Sequence, residues 1–319
     1  MNHEVLTAID ELEHDGVLDP AQADRFRRVA AGRLVSVQTE LRLVVGIGIT
    51  LTASGASLFM AENKTLLGAL PVLLVIAAAA LACIAWVWRK AAPFTWNETP
   101  TPVTSLDFVL QLGLLLLAAA LAYGEATFHL AGTRWPVYLL AVGLIDLWAA
   151  YRFDSCTALS LGLSALAAWR GAAVIPSLSL RENLSLVDFR WNASLLGALF
   201  LLVGFLSRRL KRKPHFASVW ERGGFFLLST GAMSGTYDPS GYLPWLLLLL
   251  AAGTVTSLAG IRRRVPVDFV MGYLVFCVGV LRLLALVLTG DVFRYVVSPV
   301  IIGALALLIF SVHKMGEEP

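Results

Sequence analysis

Leu201-Leu202-Val203-Gly204-Phe205-Leu206-Ser207-Arg208-Arg209-Leu210-Lys211-Arg212-Lys213 passes from an apolar run into five basic residues within six positions. Lysine and arginine beside a membrane span stay on the cytoplasmic side. This stretch therefore reads as the end of a span followed by a retained cytoplasmic loop. The charges of Arg208, Arg209, Lys211, Arg212 and Lys213 serve topology first. They are also candidates for binding anionic lipid, because each basic residue near such a surface gains about 1 kcal/mol.

The rest of the chain follows the same pattern on both sides of this run. Of 319 residues, 58% are hydrophobic and 15% are charged. A soluble domain of that length carries about 25% charge. The apolar residues fall in long runs with short charged connections, which is the pattern of membrane spans. The net charge of +3 arises in the connections, so it speaks to topology and no nucleic-acid partner is expected. The bilayer is the expected surrounding. Cys83, Cys156 and Cys277 lie in or at apolar segments and are expected as small packing residues, not as a disulfide framework.

Ten spans are predicted, at about 43–60, 65–87, 108–128, 135–150, 156–175, 193–207, 221–236, 243–260, 267–289 and 294–312. The weakest is 221–236, which opens on Glu221-Arg222-Gly223-Gly224 and reads either as a full span or as a broken, re-entrant helix. With both termini inside, 18 basic residues fall on the cytoplasmic side and 5 on the other. Removing 221–236 would put Arg262, Arg263 and Arg264 on the wrong side, which favours keeping it. The predicted fold is thus an all-α, polytopic bundle of about ten spans, N-in and C-in. Its domains are a cytoplasmic hairpin at 1–42, the bundle at 43–312 and a tail at 313–319. Trp86, Trp88, Trp135, Trp191, Trp220 and Trp245 fall near span ends, where interfacial anchoring accounts for them. Gly46, Gly48 and Gly55 in the first span, and Gly231 with Gly235 in the seventh, allow close helix approach.

The N-terminal 42 residues are polar and amphipathic, so no signal peptide is expected. Val5, Ile9 and Leu12 recur at helical spacing, and Gly16 suits a helix stop. Asp19 suits an N-cap and Pro20 the first helical position, with Phe26 on the apolar face of that second helix. A hairpin this small lacks a sufficient core of its own. It is expected to dock on a partner membrane protein, on itself in a homodimer, or on the membrane surface.

Four ionisable residues fall inside predicted spans: Glu125, Asp146, Arg170 and Arg282. Each is costly in lipid and is expected to face the bundle interior or a wet cavity. Counting along the spans puts Glu125, Arg170 and Arg282 in one outer layer and Asp146 in the inner third. That layer suits either an anionic ligand or a structural ion pair holding three helices. Asp107 and Asp268 are expected as caps at inner span ends. The five histidines are scattered without metal-ligand spacing, and no nucleotide, dinucleotide or nucleophile-elbow motif occurs. Catalytic residues, a metal site and cofactors are therefore not expected. The leading expectation is an accessory or interaction subunit; a small-molecule or lipid carrier is the alternative.

Glu11-Leu12-Glu13-His14-Asp15-Gly16-Val17-Leu18-Asp19, then Ala21 to Arg28, then the glycine-bearing run Gly46 to Met60 closing in Ala61-Glu62-Asn63, carry a family resemblance. The N-terminal 90 residues resemble the DUF2157 family of predicted bacterial membrane proteins. Glu62 and Lys64 depart from the Ala-Asn followed by Trp that members tend to show there. The resemblance implies a bacterial inner-membrane protein and brings no catalytic residues.

Overall fold

In hydrocarbon every backbone N–H and C=O needs an internal partner, so apolar runs of this length become helices. The computed structural model of the chain describes residues 9, 11–14, 16, 18–30, 44–52, 54–55, 58, 68–96, 105–129, 131–174, 186–238, 241–288, 297, 299–304 and 307–308. The described secondary structure is helical throughout, without strands. Helix α1 is Pro20–Ala30, α2 Ala69–Lys90, α3 Ser105–Phe128, α4 Pro136–Phe153, α5 Cys156–Val174, α6 Leu186–Arg209, α7 Ala217–Gly235, α8 Tyr242–Arg263 and α9 Pro266–Val287.

The helices after α1 pair as successive hairpins: α2 with α3, α4 with α5, α6 with α7, and α8 with α9. Two of the turns are very short. Asp154, with φ 59°, ends α4, and Ser155 Oγ accepts the Ala158 N–H at 3.1 Å to open α5. Arg264, with φ 53°, ends α8, and Pro266 opens α9. Glycines set the closeness of two pairs. A Cβ on Gly224 of α7 would stand 2.7 Å from the Gly197 carbonyl oxygen of α6. One on Gly253 of α8 would stand 2.9 Å from the Phe276 Cα of α9. These backbones touch with no room for a side chain, as membrane helices do at small residues.

Six described helices are long and apolar enough to cross a membrane: α2, α3, α4, α6, α8 and α9. The chain is thus a membrane protein with multiple membrane-spanning helices. Helices α5 and α7 complete hairpins but are more polar. Helix α7 runs unbroken from Ala217 to Gly235, so the broken form allowed by its sequence is not adopted. It touches α5, α6, α8 and α9. Surrounded this way, it tolerates Glu221, Arg222 and Ser229 that a lipid-facing helix would not. The predicted spans 43–60 and 294–312 are described only in part, and the tail 313–319 lies outside the described residues.

The largest core joins α2 through α7 toward the arginine-rich helix ends, around Leu110, Phe153, Leu159, Phe200, Phe216 and Trp220. Trp220 is buried there and donates its indole N–H toward Tyr151 Oη at 3.3 Å. Trp245 is buried as well. The anchoring expected of these two is corrected to core packing; Trp86, Trp88, Trp135 and Trp191 remain exposed. Gly231 and Gly235 pack as expected, on α6 and on Trp245. Gly48 and Gly55 have no described neighbour within 4 Å, so the close approach expected there is not seen among the described residues.

In the head, Val5 lies outside the described residues. Pro20 opens α1, and the Asp19 carbonyl accepts the N–H groups of Gln22 and Ala23 at 2.8 and 2.9 Å. Gly16, at φ 69°, turns the chain after the helical residues 11–14. An ion pair between Arg27 and Glu13 ties the two arms.

Candidate functional site

Charged groups cluster at both ends of the bundle. At the end away from the basic run, the three residues of the predicted outer layer each find their own partner. The Glu125 carboxylate accepts the N–H groups of Ala131 and Gly132 at 2.8 and 3.0 Å and holds the short turn before α4. Arg170 of α5 bonds Asn192 of α6, beside the Trp169 ring. Arg282 of α9 donates to the Thr236 carbonyl oxygen at 3.0 Å, over the Tyr237 ring at 4.2 Å. No ion pair joins Glu125 to Arg170 or to Arg282.

Sequence reasoning missed an ion pair at this end. Arg190 of α6 meets Asp238 at 2.5 Å in the turn after α7, with its guanidinium over Trp245. Arg190 and Arg282 thus grip consecutive residues of one turn, Thr236 to Asp238, from two helices. Nothing local in the sequence couples positions 48 apart. The intramembrane count also passed over Arg190, which stands in the second turn of α6.

Asp146 is 3% exposed in α4, and its Oδ1 has no hydrogen-bond partner among the described residues. It packs where α4 meets Gly162 of α5: a Cβ at 162 would lie 3.2 Å from the Asp146 Cβ. Arg152, six residues on in the same helix, donates to the Ala92 carbonyl oxygen at 3.1 Å and lies over the Trp88 ring.

The basic run at the other end divides by role. Arg209 and Lys211 are exposed. Arg212 lies over the Trp96 ring. Arg208 donates twice to Glu221 of α7, at 3.1 and 2.8 Å, and Arg263 of α8 reaches the same carboxylate at 3.1 Å. Asp268 meets Arg222 at 2.7 Å, so it joins α9 to α7 in an ion pair. Lys213 turns inward. At 1% side-chain exposure its Nζ reaches Asp154 Oδ1 at 2.6 Å, and His215 Nε2 reaches the same oxygen at 2.9 Å. Its N–H also donates to the Trp96 carbonyl oxygen at 3.0 Å. Three loops, at 91–96, 154–155 and 210–216, are thereby locked together. A left-handed backbone at Asp154 (φ 59°) and Lys213 (φ 45°) aims both side chains into this knot.

Among the described residues, no group of three or more His, Cys, Asp or Glu is placed to hold a metal. Many of these charges meet partners on other helices or loops; Asp146 is buried without one for its Oδ1 among the described residues.

Residues 10–159 match the family model DUF2157, described as a predicted membrane protein. The match runs past the 90 residues that carry the sequence resemblance and ends at Leu159 in α5, before the α6 to α9 half. No curated protein and no solved structure matches the chain.

Proposed function

We propose that the protein is a non-enzymatic accessory subunit of a membrane assembly, docking a partner membrane protein through its N-terminal helical hairpin. One observation carries this reading. On the head, Ile9 and Ala23 are buried and Glu13 pairs with Arg27, yet Leu12 and Phe26 stand 43% and 50% exposed. Burying one large apolar side chain contributes about 1.5–3 kcal/mol, so two of them suit a docking contact. The partnered state of Glu125, Arg170 and Arg282 supports a structural role for them and weighs against the carrier alternative. The 18-to-5 distribution of basic residues supports a bacterial inner-membrane orientation with both termini cytoplasmic and ten spans.

The test is affinity purification from the native membrane with Leu12→Glu and Phe26→Glu combined. The partner is expected to be lost while the bundle keeps its melting temperature. Retention of the partner at wild-type stoichiometry would reject the head as the docking element. Under the carrier alternative, Arg170→Ala or Arg282→Ala abolishes transport in a folded protein and removal of the head has no effect.

A further inference from the structure

Two hollows adjoin at the arginine-rich end of α8. The first, about 160 Å³, lies between α6, α7, α8 and α9, with Phe225 and Met271 among its walls and Arg222 among its charged groups. The second, about 350 Å³, is lined by Leu258 and Arg262 on the same helix. Both hollows share Val255, Ala259 and Arg263. These three recur every fourth residue, so they form one stripe along α8. From Val255 to Arg263 the stripe rises about 12 Å. It is apolar and shallow along two turns and ends in a cation.

The charge at that end is not balanced. Glu221 is shared by Arg208 and Arg263, and Asp268 answers Arg222. Arg262, next in the chain, is exposed and has no partner among the described residues. Among the described residues, the guanidiniums of Arg208, Arg222, Arg262 and Arg263 therefore face the carboxylates of Glu221 and Asp268. A hollow between four helices on one side of the stripe, the open face of α8 on the other and an uncompensated positive rim together match an amphiphile with an anionic head.

We propose that this stripe seats an anionic phospholipid of the leaflet at the arginine-rich end. The phosphate sits at Arg262 and Arg263, and the two acyl chains straddle Val255 and Ala259, one in each hollow. The site is separate from the exposed run Arg209–Lys211, and it does not depend on the docking role of the head.

The experiment is native mass spectrometry of the full-length protein after exchange into nanodiscs holding equal phosphatidylglycerol and phosphatidylcholine. Wild type is expected to retain phosphatidylglycerol in preference. Arg262→Gln removes a charge that touches no protein partner, and retention is expected to fall about fivefold. Ala259→Phe fills the hollows while leaving every charge, and is expected to abolish retention; Leu247→Phe, toward the other end of α8, leaves it intact. Equal retention of both lipids by wild type, or wild-type retention by Ala259→Phe, would overturn the proposal.

Discussion

At the residue scale, Lys213 shows how much a position in a charge run leaves undecided. It is one of five similar residues in sequence, but the only one of the five that is buried. Its partner Asp154 is 59 residues away, and is itself 5% exposed. Lys213 and Asp154 are a buried pair of opposite charge, joined by His215 on the carboxylate and by the Phe94 and Phe216 rings around the ammonium, and losing one charge leaves the other uncompensated. Asp154→Asn keeps a residue that accepts the left-handed backbone and removes only the charge. It is expected to destabilise the bundle by about 3–5 kcal/mol. Adding Lys213→Met is expected to recover most of that loss, because the stranded ammonium is gone. Thermal melting in detergent of the single and double variants measures the coupling; an additive double variant would contradict the pairing. Glu125, Arg170 and Arg282 teach the same lesson at the other end. Counting along spans placed them toward one end of the bundle, but it did not reveal their partners. Each bonds a turn, an amide or a carbonyl that sequence spacing does not single out.

At the element scale, six of the predicted spans were legible because lipid leaves an apolar run little choice but a helix. Helix α7 was the hardest to read, since its polar residues look like a break when the helix is taken alone. Its neighbours α6, α8, α5 and α9 remove the need for an apolar face, and that is information held in other parts of the chain. The α6/α7 contact rests on Gly197 and Gly224, whose backbones leave no space for a methyl. Gly224→Ala is expected to cost about 1–3 kcal/mol by overpacking. Gly48→Ala, with no described neighbour within 4 Å, is expected to be neutral or to stabilise by up to about 1 kcal/mol through helix propensity. Equal melting temperatures for the two variants would refute the close contact of α6 and α7. Glycines in a span were legible as packing positions in general, but which of them touch a partner was not.

At the scale of the whole molecule, the account rests on orientation and on what the head does. The basic bias predicts that the end bearing Lys211 is cytoplasmic and the end bearing Arg134 is not. In a chain with its three cysteines replaced, Lys211→Cys should resist an impermeant maleimide in intact cells, and Arg134→Cys should react. Reversal of the two would invert the topology and place the head outside. The turn at Gly16 and the start of α1 at Pro20 were legible in the sequence, and the exposed Leu12 and Phe26 do not name what they meet. Native mass spectrometry of the protein extracted gently from its own membrane bears most directly on the central claim. The account predicts a stoichiometric partner protein that disappears when residues 1–42 are deleted. A lone monomer, or a homodimer that survives the deletion, would contradict it.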